Sequence, residues 1–484
     1  MKIKEQMKKV QETFGGSFDV KTREFRIAGK HEAVAFFVDT IAGGQRISLE
    51  VLMPLIKLQP KEIPKTKLLE YATKTLVNTC EFILKDTFEE AVTELLMGKC
   101  VIVLDDVKQY VVCDTTVMPA RGIAEPPTAS VVKGPREGFV ENLVVNIGLL
   151  RKRLKTPDLT FVNNPVGTQS KTNVTVMYIK SIADDSVVEK VIEKIKAINR
   201  DGIIDSYYIM QYLENDGFNI FRQVGAEEKP DIIASKLLEG RVAIIVDGSP
   251  VVLTVPYILL EDFQAADDYY NNNVVVTLRR FVRLFGAVVA IVLPGLYVAM
   301  MLYHYQITPL SALVIITNSL ENTPFTPLVE MIFILILFEI LYESSLRMPR
   351  HLGGAVGLVA ALVLGGTAVD AGLVSAPAIL IVALSSITTF IVPNLAPQIS
   401  LLRLFYVLIG GMLGLYGIVL VTVLLVAYLA GLDSFETPFL APYAPYVKSD
   451  QKDALIMKNI KMQDTRPHSY TTKNKTRAKG GGKQ

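Results

Sequence analysis

Two hydrophobic patterns divide this chain. As far as about Tyr270, apolar and charged positions alternate over short distances, as in a globular protein; from Phe281 to Tyr428 they give way to long apolar runs with few charges. Within the first region, FEEAVTELLMGKCVIVLDDVKQYVVCDT from Phe88 and DIIASKLLEGRVAIIVDGSPVVLTVP from Asp231 share one order: helix, Leu-Leu, glycine, apolar strand, acidic turn, second strand. A constant offset superposes Leu95 on Leu237, Gly98 on Gly240 and Asp105 on Asp247. The glycine falls where a helix needs a residue that tolerates positive φ in order to stop. VIVL and AIIV, apolar at every position, predict central strands, and Asp-Asp or Asp-Gly predicts the turn into the next strand. Each half also carries an earlier strand, AVAFFV at Ala33 and VTVMYI at Val174, and VVEKVIEKIKAI from Val187 has helical spacing. Between the halves, Pro119 to Arg136 is too rich in Pro, Gly and Ala for a helix or central strand.

In the apolar region a span needs ~20 residues to cross ~30 Å of hydrocarbon. Leu284–Tyr305, Val329–Leu346, Gly354–Leu373, Pro377–Val392 and Leu404–Ala430 qualify, while Ser311–Leu320 is short and reads as interfacial or re-entrant. Arg279, Arg280 and Arg283 before the first span place the soluble region on the cytoplasmic side, and Arg347, Arg350 and His351 return to it. From Lys448 onward there are ten Lys/Arg against three Asp, so the tail belongs there too. Five full spans contradict that, and Pro377–Val392, bounded by Pro377, Pro393 and Pro397, is therefore read as broken or re-entrant. The expected architecture is an α/β soluble region of two similar tandem subdomains (1–150 and 151–275), an α-helical transmembrane bundle (281–431) and a basic, solvated tail (432–484).

Composition adds little to this. The 484 residues carry a net charge of +2, which selects no polyanionic partner such as nucleic acid. The odd set Cys80, Cys100 and Cys113 reads as reduced thiols, and the N-terminus lacks the apolar stretch of a signal peptide. There is no Gly-rich phosphate loop, His-Glu-x-x-His, Cys-x-x-Cys or Gly-x-Ser-x-Gly. Asp105-Asp106 reads as a turn and Asp267-Asp268 as a solvated face, so no catalytic residue, metal or cofactor is expected, and the protein is not expected to be an enzyme.

The acids inside the apolar runs carry the functional signal. Glu330, Glu339 and Glu343 fall in one run and Asp370 in the next. A charge at the bilayer centre is costly, so each should face a partner, a cavity or an interface. Gly353 with Gly357, and Gly410 with Gly414, are four apart and predict close helix packing. Pro294 predicts a bend in the first span. In the Gly134-Pro135-Arg136-Glu137 stretch, Pro135 fixes φ while Gly134 permits unusual turns; it reads either as a hinge or subunit contact, or as a turn opening a helix at Glu137.

Several stretches resemble the A subunit of the spore germinant receptors, the GerA family of endospore-forming bacteria. They are VVKGPREGFVENLVVNIGLLRKRL from Val131, KPDIIASKLLEGRVAIIVDGSP with EDFQAADDYY, LPGLYVAMMLYHYQITP from Leu293, FEILYESSLRMPRHLGGAVGLVAALVLGGTAVDAGLVS through IVPN, and LDSFETPFLAPYAP. Asp370 stands where the family more often has glutamate, Phe221-Arg222-Gln223 replaces Phe-Pro-Gln, and the Gly/Lys-rich end after Lys473 departs from it. The resemblance implies a nutrient sensor of the dormant spore's inner membrane, working with a permease-like B subunit and a lipoprotein C subunit. It also implies self-association, as a ring, and a gated path for monovalent cations. The other readings left open by the residues are a non-conducting scaffold, whose acids pair with partner subunits, and a secondary transporter.

Overall fold

A computed structural model of the chain describes residues 2–58, 82–105, 107–117, 134–215, 217, 219–321, 323–347 and 363–477. Strands β1 (Val20–Ile27), β2 (His31–Val38), β3 (Phe82–Lys85), β4 (Cys100–Leu104) and β5 (Tyr110–Cys113) form an antiparallel sheet in the order β1-β2-β4-β5-β3. A second sheet, of β6 (Leu159–Val166), β7 (Thr172–Ile179), β8 (Gly225–Glu227), β9 (Val242–Val246) and β10 (Val252–Val255), repeats that order as β6-β7-β9-β10-β8. The all-apolar runs are the inner strands β4 and β9, buried at every residue because both faces are covered.

Helices α1 (Ile3–Thr13) and α2 (Phe88–Leu96) cover one face of the first sheet through Val10, Phe14, Ala91 and Leu95, and a helical stretch over 44–56 covers the other through Ile47, Val51 and Leu55. On the second sheet, α3 (Leu143–Arg153) and α6 (Pro230–Leu238) take one face, while α4 (Asp185–Lys196) and α5 (Ser206–Leu213) take the other. Side chains of Thr87, Asn142, Asp184 and Asp205 accept from the first free N–H groups of α2, α3, α4 and α5. The helix after Gly-Pro-Arg-Glu-Gly-Phe thus opens at Leu143 rather than at Glu137, because Asn142 is the residue able to cap it. The two units are joined by Arg151, whose guanidinium donates to both oxygens of Asp19 at 2.9 and 3.0 Å with both side chains fully buried.

Five helices of more than ten residues follow among the described residues: α7 (Asn273–Tyr303), α8 (Leu310–Leu320), α9 (Pro327–Arg347), α10 (Ala376–Thr389) and α11 (Ala396–Gly431). Among the described residues two helices are long and apolar enough to cross a membrane, α7 and the helix containing α11. The 21 residues of α9 match a span in length but include Glu330, Glu339, Glu343 and Arg347, and α10 has 14 residues. The outward surface is apolar: Phe285, Met412, Tyr416 and Val419 are 70, 67, 82 and 62% exposed. A soluble helix would turn such residues inward; here the covering medium is lipid or another protein.

Of the four glycines expected to pack helices, Gly353 and Gly357 lie outside the described residues. Gly410 meets α7 backbone to backbone, since an added Cβ would sit 2.6 Å from the Gly295 carbonyl oxygen. Gly414 has another part to play. It adopts φ +62°, interrupting the helical backbone of α11 where glycine's freedom is required.

The tail is not a solvated appendage. Tyr470 and Ala454 are buried, Arg466 donates to the Leu238 carbonyl at 2.7 Å, and Ala183 bridges to Thr472 in antiparallel fashion. A basic composition did not announce this: Lys473 and Arg477 pair with Asp185 and Glu239 of the second unit at 2.6 and 3.0 Å, and which acids they meet is set by packing rather than by charge content.

Candidate functional site

The soluble and apolar regions meet in two adjoining layers, one apolar and one ionic. Phe221, Tyr257 and Phe263 of the soluble region and Phe439 of the tail pack with Ala287 and Ala290 of α7, and with Ile399, Leu402 and Leu429 of α11. Beside this cluster, the first turns of α7 carry Arg280 and Arg283, three apart and therefore on one face. Both reach Asp268: Arg280 at 3.2 Å and Arg283 in a two-pronged contact at 2.7 and 2.9 Å. Arg280, fully buried, also donates to Asp453 of the tail at 2.9 Å and to the Ala454 carbonyl. The Tyr269 hydroxyl donates to the other Asp453 oxygen at 2.8 Å.

The expectation of a solvated face at Asp267-Asp268 is corrected by this arrangement. Asp268 is completely buried, and burial pushes its carboxyl up, but the bonds and charge of Arg283 outweigh that and hold it below the usual carboxylate range. Asp453 goes the other way: burial raises it, and Arg280 only partly offsets the shift. A second ionic layer lies behind. Lys236 pairs with Glu261 at 2.8 Å and Glu227 at 3.1 Å, while Arg241 pairs with Glu261 at 2.5 Å and stacks 4.3 Å from the Tyr470 ring. Burial raises the Glu261 carboxyl, yet the charges of Arg241 and Lys236 bring it to a net lowering. Buried pairs of this kind specify an arrangement more than they stabilise it, since desolvation cancels most of the attraction.

The acids of the apolar helices separate into different environments. Glu330, in the first turn of α9, is fully buried; one of its oxygens accepts the Ser375 N–H at the start of α10, and the other has no hydrogen-bond partner among the described residues. Glu339 keeps half of its side chain exposed, accepts from Ser400 Oγ at 3.0 Å and lies 3.5 Å from the Arg403 guanidinium. Arg403, only 6% exposed, also donates to Ser385 Oγ at 3.3 Å and Ser386 Oγ at 3.4 Å. Ser385 in turn donates to the Ala290 carbonyl of α7 at 2.7 Å. Glu343 and Arg347 pair at 2.5 Å along one helix, both well exposed, and Asp370 ends the short turn Ala368–Asp370, also exposed. The structure thus unites Glu339 with three other helices and leaves Glu330, Glu343 and Asp370 apart from it.

In the Gly134–Glu137 stretch, an added Cβ at Gly134, which has φ +117°, would lie 2.6 Å from the Tyr270 ring. Buried Lys229 donates to the Pro135 carbonyl at 2.7 Å, Arg136 is exposed, and Glu137 pairs with Arg153 at 2.6 Å. Tyr270 lies three residues before α7, so this stretch touches the same junction. Two groups that proved central, Arg403 and Asp453, were missed from sequence. Arg403 had a signal, a lone arginine at the head of a long apolar run that could answer one of the glutamates of α9; Asp453 had none.

Fold and site define a class: a membrane-associated protein in which two copies of one α/β unit are ion-paired and packed onto apolar helices. The chain belongs to the GerA family of spore germination proteins, whose profile, described as Bacillus/Clostridium GerA spore germination protein, matches residues 8–469. Spore germination protein KA of Bacillus subtilis (strain 168) is 34% identical over 468 residues, covering 96% of this chain and 86% of that protein. Spore germination protein GerLA of Bacillus cereus is 29% identical over 476 residues, covering 98% and 96%. The crystal structure of the N-terminal domain of the A subunit of the Bacillus megaterium spore germinant receptor GerK3 is similar at 26% identity and a TM-score of 0.41, over 53% of this chain and 96% of that one.

Proposed function

We propose that this chain is the membrane-embedded A-type subunit of a germinant receptor in the inner membrane of the dormant spore. In this reading its soluble units face the cytoplasm and receive a signal from permease-like B and lipoprotein C subunits, and copies of the chain assemble around a path for monovalent cations. The observation that carries the reading is Glu339: half exposed on the outer face of α9, between exposed Ile336 and Ile340. A carboxylate so placed is expensive against lipid, and inexpensive facing a neighbouring copy or a water-filled path. Rings of carboxylates favour cations. Glu343, one turn further on the same face, extends the acidic line; in this reading Glu330, enclosed on the opposite side of α9, and Asp370, on a separate segment, lie outside it.

One observation favours the scaffold reading instead: Glu339 already has a protein counter-charge in Arg403. Cation release from vesicles containing the full chain, with the B and C subunits and germinant, separates the two. The expected outcome is germinant-dependent potassium release that falls at least about tenfold in Glu339→Gln, the order of one strong charge interaction. Receptor that assembles and responds yet releases no cation would leave the scaffold.

A further inference from the structure

We infer that Arg403 is the resident counter-charge of Glu339, a latch that occupies the cation-attracting carboxylate with the protein's own guanidinium until the helices move. This rests on reading Glu339 as part of a cation path. The geometry is asymmetric. Arg403 is held on its inner side by Ser385 and Ser386 of α10, at 3.3 and 3.4 Å, and is almost wholly enclosed. Glu339 is held by Ser400 at 3.0 Å and by Arg403 at the longer 3.5 Å, with half its side chain open. The carboxylate is thus the group open to other partners, and the guanidinium is the group tied to α10 and carried with α11.

The pair also sits where a signal would arrive. Arg403 follows Leu402 in α11, and Leu402 and Ile399 belong to the apolar cluster that receives Phe221 and Phe439 from the soluble region and tail. Ser385, which Arg403 grips, is bonded to α7 through the Ala290 carbonyl, and Ala290 belongs to the same cluster. A shift of the soluble units against α7 and α11 changes the Arg403 position through side chains in direct contact, and Glu339, on α9, need not follow. Opening then substitutes a monovalent cation for Arg403 at one carboxylate, with no change in net charge at Glu339.

The test is potassium release from vesicles holding the full chain without germinant. Arg403→Gln, which removes the charge but keeps a hydrogen-bonding head, should raise this leak roughly tenfold, within the usual span of a coupling between two states. Arg26→Gln, which breaks an exposed ion pair with Glu32 on the first sheet, away from the apolar helices, should not. The double variant Arg403→Gln/Glu339→Gln should lose the leak, because the attracting carboxylate is gone. Arg403→Gln no leakier than Arg26→Gln, in vesicles where germinant still triggers release, overturns the latch and leaves the cation path intact. If no variant conducts under any condition, the cation path itself fails. Melting temperatures of the two single variants and the double variant then decide whether the pair holds α9 to α11: non-additive losses keep that contact, and additive losses remove it too.

Discussion

The two α/β units have the same strand order but are completed by different pieces of chain. In the first unit the residues directly after β5 fold back: Ala42 bridges to Thr116, and the Val117 N–H donates to the Ile41 carbonyl at 3.1 Å. In the second unit the chain leaves after β10 for the apolar helices, and the tail returns to take the vacated position. Ala183 bridges to Thr472, and the Lys473 N–H donates to the Ile182 carbonyl at 2.9 Å. The matching glycines report the same substitution. A Cβ at Gly98 would sit 3.2 Å from Thr116, and one at Gly240 would sit 2.5 Å from Thr472. The first unit is therefore closed locally, whereas the second is closed only when α7 and α11 let the tail reach it. Duplication followed by this exchange makes one unit a support and the other a part coupled to the helices.

That contrast can be broken at several strengths. The largest effect is expected for Arg280→Ala, which strands Asp453 and removes one of two cations from buried Asp268; a loss of ~3–5 kcal/mol follows from breaking a buried ionic pair on one side. Thermal unfolding in detergent would show it, and a shift within the ordinary range of surface substitutions would refute the account of the junction. Next, a chain ending before Arg466 lacks Tyr470 and Thr472. Hydrogen exchange should accelerate around Ala183 and Gly240, which the tail touches, and stay unchanged around Ala42 and Gly98; equal acceleration in both would mean that the units are not separately closed.

Smaller still is Gly240→Ala. A positive φ costs an L-residue ~1–3 kcal/mol, and here the new methyl also meets Thr472, so the tail should become sensitive to proteolysis while the second sheet persists. Gly98→Ala pays a similar backbone cost but should leave the tail protected.

The mildest handle is pH. The folded carboxyl of Asp268 lies below its ordinary 3.8, so its contribution is present above that value and is lost as pH falls through the lower folded value. Asp453, raised from 3.8, is the reverse: its contribution is full below 3.8 and declines as pH rises through the raised folded value. Stability of the junction should therefore rise modestly on acidification from neutrality and fall again below about pH 4. Asp453→Asn should remove the rise and keep the fall; a melting profile that is flat in both proteins would contradict the assignment.

The repeat, its glycine stops, its apolar inner strands and the change to apolar helices were all legible in the chain, since each depends on local spacing or on runs of one character. Edge strands such as β1, VKTREFRI, were not, because an exposed edge imposes no continuous apolar pattern. The acids within apolar runs stood out for their cost alone. Their partners did not: Glu339 and Arg403 lie on separate helices, and helix packing, not sequence distance, brings them within 3.5 Å.

By itself, then, the sequence determined the inner strands, several helices, the turn to apolar runs and the repeat in the soluble part, because backbone hydrogen bonding and hydrophobic periodicity act over a few residues. Only the tertiary structure decided that Asp268 and Arg280 are buried, that the basic tail completes the second unit, and that one glutamate has a counter-charge while another is enclosed. Those outcomes depend on which surfaces meet across hundreds of residues, and the free energy of a charge depends on that enclosure far more than on its neighbours in the chain.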